Sequence, residues 1–120
     1  MTFETIKKAR ALLSAQSTMT LATVNARGRT ESAPLFFAED DGTLIWVSGQ
    51  RSRHSRNIAA AGRASVSAHN TVWSWNEIAG VQMEGEVSLI PLGPGARAGV
   101  GSVQSQIPFR PRIRRRSDAQ

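Results

Sequence analysis

The sequence predicts a mainly β protein with flanking helices, folded as an antiparallel barrel or curved sheet. Three observations carry that prediction. Runs rich in β-branched or alternating residues recur between turn-forming stretches from residue 18 to residue 90. Only two segments show helical periodicity, one at the N-terminus and one near the middle. A chain of 120 residues with 40% hydrophobic content suits one domain with one core.

The elements follow in order. Over residues 3–15, Phe3, Ile6, Ala9, Leu12 and Leu13 fall on one helical stripe, with Lys7, Lys8 and Arg10 opposite and Thr2 placed as N-cap. "TMTLATVN" (18–25) and "TESAPLFFA" (30–38) flank the turn "NARG" and read as a hairpin. Pro34 has no N–H for a ladder, which places its strand at an edge, at a bulge or against a ligand. "EDDG" (39–42) turns into a third strand, "TLIWVS" (43–48), whose Trp46 is expected in the core. Residues 52–61 form a short helix stopped by Gly62, and "RASVSAH" (63–69) alternates as a fourth strand. Trp73 and Trp75, in the loop that follows, are suited to covering a barrel end or stacking on a planar ligand, with cover the expected role. The fifth strand, 78–90, sets Val81, Met83, Val87 and Leu89 against Gln82, Glu84, Glu86 and Ser88, so one face is expected to be wet. Beyond it "PLGPGARAGVG" breaks regularity, and no strongly patterned element is expected.

Composition narrows the function classes. There is no cysteine, hence no disulfide, thiolate metal site or cysteine nucleophile. No run of about 18 apolar residues and no secretory signal is present, so a soluble cytoplasmic protein with no membrane partner is the expectation. The formal charge of +6 belongs mostly to the tail: residues 110–120 hold five arginines and one aspartate, whereas residues 1–109 hold ten basic and eight acidic groups. Such a tail binds polyanions or is simply solvated, and nucleic-acid binding is not expected as the main function. Two histidines, His54 and His69, without carboxylates at ligand spacing give no metal site. Neither a nucleophile elbow nor a phosphate-binding glycine loop nor a dinucleotide fingerprint occurs.

The chemistry concentrates in "LIWVSGQRSRHSRNIAAAG" (44–62). Ser48, Ser52, Arg53 and His54 stand where a strand ends and a helix begins. Free N–H groups at a helix start favour an anion, hydroxyls donate to it, and a guanidinium pairs with it as a fork. A phosphate site and a plain capped turn with exposed arginines both satisfy these residues.

The order of helix, hairpin "TLATVNARGRTESAPLFF", strand "LIWVS", "SRH", helix "SRNIAAAG" and strands "RASVSAH" and "GVQMEGEV" resembles the pyridoxamine 5'-phosphate oxidase-like family of FMN-binding split β-barrels over about residues 5–90. Within it the chain looks most like a small branch with Ser-Arg-His in place of Ser-Arg-Lys. The resemblance implies an FMN-binding split barrel over 1–92, a poorly ordered Gly/Arg-rich segment over 93–120, and a homodimer with two FMN molecules at its interface. It implies flavin contacts from the backbone of Ala33, Pro34 and Leu35, a cofactor contact at Ser48, and a phosphate triplet of Ser52, Arg53 and His54. Gln82 is the candidate nearest a flavin-contacting amide, which aligns at Gly80. No catalytic acid or base is assigned. The family's substrate-phosphate residues have no counterpart, which argues against pyridoxamine phosphate oxidation, and the family's later helix and strand find no match in 93–120, so the barrel is expected to be incomplete there. The functional expectation is a flavin-dependent oxidoreductase of unknown substrate. Two alternatives stay open: a non-catalytic module for another planar anionic cofactor, deazaflavin or haem, and a dimeric remnant with a polyanion-binding basic tail.

Overall fold

The computed structural model describes residues 2–90, 100–106 and 112–115. Helix α1 (Phe3–Ala15) is followed by strands β1 (Thr18–Val24), β2 (Thr30–Phe36), β3 (Ala38–Asp40) and β4 (Thr43–Gly49). After helix α2 (Arg53–Ala61) come β5 (Arg63–His69), β6 (Ala79–Ile90), β7 (Val100–Gln106) and β8 (Arg112–Arg115). All strand pairs are antiparallel, in the order β2-β1-β5-β6-β7-β4-β3, and β8 pairs with β6. Among the described residues the end strands β2 and β3 do not pair with each other, so the sheet they bound is not closed.

Strand periodicity explains the core. In β1 the buried residues Met19, Leu21 and Thr23 alternate with outward neighbours, and Leu44 and Trp46, Val66 and Ala68, and Val81 and Met83 do the same in β4, β5 and β6. Ala9 and Leu13 of α1 and Ile58 of α2 complete the cluster. Each fully buried aliphatic side chain stabilises the fold by about 1.5–3 kcal/mol. Thr2 caps α1 by accepting the Thr5 N–H. Phe3, expected on the buried stripe, is 78% exposed. No helix among the described residues is long and apolar enough to cross a membrane.

Other expectations also change. The turn after β2 is shorter than "EDDG": Glu39 lies within β3, and only Asp41 (φ 49°) and Gly42 (φ 83°) turn the chain. The reason is long-range. Glu39 accepts Arg10 Nε–H at 2.9 Å, Ser14 Oγ–H at 3.1 Å and Gly42 N–H at 2.8 Å, which hold it against α1. Burial favours its protonated form, yet the Gly42, Arg10 and Ser14 bonds outweigh that and hold its carboxyl below the usual range. Trp46 is in the core as expected, but Trp73 and Trp75 do not cover a barrel end: they are 103% and 64% exposed. Their segment is held by bonds within itself, Glu77 N–H to Ser74 C=O and Asn70 Nδ2–H to Glu77 C=O. The backbone also forms strands where no patterned element was expected, β7 inserting between β6 and β4 and β8 pairing with the start of β6. The rest of the Gly/Arg-rich segment, 93–99, 107–111 and 116–120, lies outside the described residues, and with it part of the basic tail.

Candidate functional site

The site forms because β4 ends beside the start of α2. Gly49 closes a turn by accepting Ser52 N–H at 3.1 Å and Ser52 Oγ–H at 2.7 Å. Ser52 is extended (φ −65°, ψ 153°) and caps the helix, its Oγ accepting Ser55 N–H at 3.3 Å. Three residues on, Ser55 is turned inward and is 5% exposed. Its hydroxyl lies 2.8 Å from Ser52 Oγ and 3.0 Å from Ser48 Oγ, while His54 Nε2 is 3.2 Å from Ser52 Oγ. Three hydroxyls and an imidazole thus meet in one hydrogen-bonded group.

Electrostatics point the same way. The first turn of α2 has no acidic residue and carries Arg53, His54 and Arg56, although a helix N-terminus favours negative charge. The N–H groups of Arg53 and His54 precede the first intrahelical bond, from Arg56 N–H to Ser52 C=O at 3.1 Å. Burial holds the His54 pKa below its ordinary value, so the free imidazole is neutral near pH 7. A group of donors facing positive backbone charge suits an anion.

Arg53 leans away from the serines. It is 81% exposed and lies 3.7 Å from Glu31 Oε2 on β2. Glu31 also accepts Asn25 Nδ2 at 3.1 Å and Asn57 Nδ2 at 3.4 Å, and Asn57 Nδ2 bonds Thr23 Oγ1 at 3.0 Å. The Asn25 amide first, then Asn57 and the guanidiniums of Arg53 and Arg56, hold the Glu31 carboxyl below the usual range against some desolvation. These bonds fasten α2 to the β1–β2 hairpin.

The sequence candidates therefore divide. Ser48, Ser52 and His54 come together with Arg53 alongside. Ala33 and Leu35 are half-buried and Pro34 exposed on β2, which pairs only with β1 among the described residues, leaving an edge, the first of the three places Pro34 allowed. Gln82 is exposed on β6. Pro34, Thr20, Ser67 and Gln82 are successive partners across β2, β1, β5 and β6. Three strand spacings separate Pro34 from Gln82, about 14 Å, so only a ligand lying across Thr20 and Ser67 touches both. Sequence reasoning missed Ser55, whose place three residues after the cap was a usable signal. It also missed Asn57 and Glu31, whose partners are too remote in sequence for any local signal.

Comparison with known proteins agrees with this architecture. The sequence pattern of the pyridoxamine 5'-phosphate oxidase family matches residues 5–117. No curated protein matches the sequence. Among solved structures, a conserved hypothetical protein from Mycobacterium tuberculosis is 16% identical with a TM-score of 0.78, over 99% of this chain and 88% of that one. A haem-binding protein from Mycobacterium smegmatis is 15% identical with a TM-score of 0.74, over 90% of this chain and 56% of that one. An FAD-binding protein from the same organism is 12% identical with a TM-score of 0.69, over 91% and 94%. The chain therefore spans little more than half the length of the haem-binding protein, and the likenesses are of fold.

Proposed function

Because the chain belongs to the pyridoxamine 5'-phosphate oxidase family, we propose that it is an FMN-binding flavoprotein working as a flavin-dependent oxidoreductase. The observation that carries this reading is the Ser48–Ser52–Ser55–His54 group at the bare, basic N-terminus of α2. Its donor set fits a phosphate: hydroxyls, two N–H groups and, in Arg53, a guanidinium that can leave an exposed ion pair at little cost. Bound FMN would supply the electron transfer. The residues of this chain do the rest. Ser48 offers its hydroxyl to the phosphate, Ser52 does so by turning its proton away from Gly49 C=O, Arg53 neutralises it, and His54 adds charge once protonated. The free edge of β2 at Ala33, Pro34 and Leu35 offers backbone groups to the ring, and Gln82 an amide.

A homodimer completes the proposal. Phe36 on β2 and Val47 on β4, 77% and 58% exposed, are the apolar side chains such an interface would cover. The test is titration of FMN followed by flavin fluorescence. Arg53→Ala should weaken binding by roughly 10-fold to 100-fold, the value of one charge-assisted pair; unchanged affinity would remove Arg53 from the site, and absence of any FMN binding would sink the reading. Haem is the second reading, supported by the haem-binding protein among the similar structures. A Soret band after haem addition, abolished in His54→Ala or His69→Ala, would favour it over flavin.

A further inference from the structure

A cleft of about 590 Å³ opens between α2 and the β1–β2 turn. Arg53, Arg56, Asn57 and Ala60 line it from α2. They recur at i, i+3, i+4 and i+7, hence on one helix face, opposite that of His54, Ser55 and Ile58. Arg27, Arg29, Asn25 and Glu31 line it from the hairpin. The hairpin wall is built firmly: Asn25 Oδ1 accepts the N–H groups of Arg27 and Arg29 at 2.9 and 3.1 Å, and Gly28 (φ 77°) bonds Asn25 C=O at 2.9 Å.

Four guanidiniums thus surround one carboxylate. Among the described residues Arg53 alone of the four has a carboxylate within 4 Å; Arg27, Arg29 and Arg56 have none. Cations gathered round one hollow repel each other, and a polyanion seated between them relieves that repulsion. Three unpaired forks on two facing walls offer more donors than one phosphate uses, and they suit two linked phosphates. Glu31 is acceptor-only and held in place by Asn25 and Asn57, the equipment for a ribose hydroxyl. The volume suits a nucleotide-sized ligand, since such pockets hold about 300–1,000 Å³.

We propose that this cleft is a binding site for a diphosphate-bearing nucleotide, separate from the serine group, with Arg53 at the border of the two. Two sources share that chemistry: the nucleotide half of a dinucleotide flavin, or a free nucleotide co-substrate. The probe is ADP, titrated calorimetrically into the full chain. ADP should bind about tenfold tighter than AMP, and Arg27→Ala/Arg29→Ala, both on the hairpin wall, should weaken ADP by about 10-fold to 100-fold while moving FMN affinity less than about threefold. Absence of ADP binding at millimolar concentration would overturn the proposal, as would a double variant that loses ADP and FMN in parallel. If FAD displaces ADP and FMN does not, the site serves a dinucleotide cofactor; if ADP stays bound under saturating FAD, it serves a co-substrate. ADP binding without FMN binding would remove the flavin reading and keep this one.

Discussion

His54 is a neutral side chain in a place designed for charge. Its pKa is lowered by burial, below the ordinary 6.5, so protons prefer the unfolded chain. Stability from this group is complete above pH 6.5 and declines as pH falls towards the folded value; His54→Gln should remove that decline in urea melts between pH 7 and 5. A phosphate dianion at the helix start has the opposite effect, raising the pKa in the complex. Phosphate affinity should therefore rise as pH falls from about 7.5 to 6.5, until protonation of the phosphate, with a second pKa near 6, offsets it; a flat profile in calorimetry would take His54 away from the anion. Ser52, Arg53 and His54 were legible as a group because a cap, a guanidinium and an imidazole are adjacent in sequence. Glu31, which holds Arg53 aside, was not, since nothing near residue 31 announces a partner on α2.

The elements were legible wherever local chemistry decides them. Gly62 ends α2 at φ 69°, its N–H bonding Ile58 C=O at 2.7 Å. A Cβ there would meet nothing within 4 Å, so Gly62→Ala tests backbone strain alone. The expected loss is about 1–2 kcal/mol, a fall in Tm of several degrees by calorimetry. Ser52→Ala removes the cap at about 1 kcal/mol, and it should also weaken FMN, which Gly62→Ala should do far less. Pro34 limited its strand to an edge, a bulge or a ligand-facing position, and β2 is an edge strand. Where packing across the molecule decides, the reading failed: Glu39 was placed in a turn because two of its three donors, Arg10 and Ser14 on α1, are invisible locally, and the two loop tryptophans were given a barrel end although both stand exposed.

At the scale of the whole molecule, the open order of strands leaves β2 and β3 as edges and places exposed Phe36 and Val47 on strands near the first of them. Phe36→Lys/Val47→Asp should convert a dimer to monomers in analytical ultracentrifugation and lower FMN affinity with it; a wild-type chain that sediments as a monomer would end the dimer proposal. By contrast Leu21→Ala, at a side chain with no exposure, should cost about 2–5 kcal/mol whatever the assembly. Asn57, finally, sets a time as well as a place. The β1–β2 hairpin can form alone, but Asn57 reaches Thr23 and Glu31 only after the intervening strands have been laid out, and β4 must wait for β7, with Trp46 opposite Val103. Closing such long loops costs entropy before the contacts repay it, so these contacts are expected to form late in folding, with low φ-values on mutation of Asn57 as the check. A ligand held between α2 and the hairpin would thus leave the folding rate nearly unchanged and slow unfolding, acting as a latch that is fitted after the door has shut.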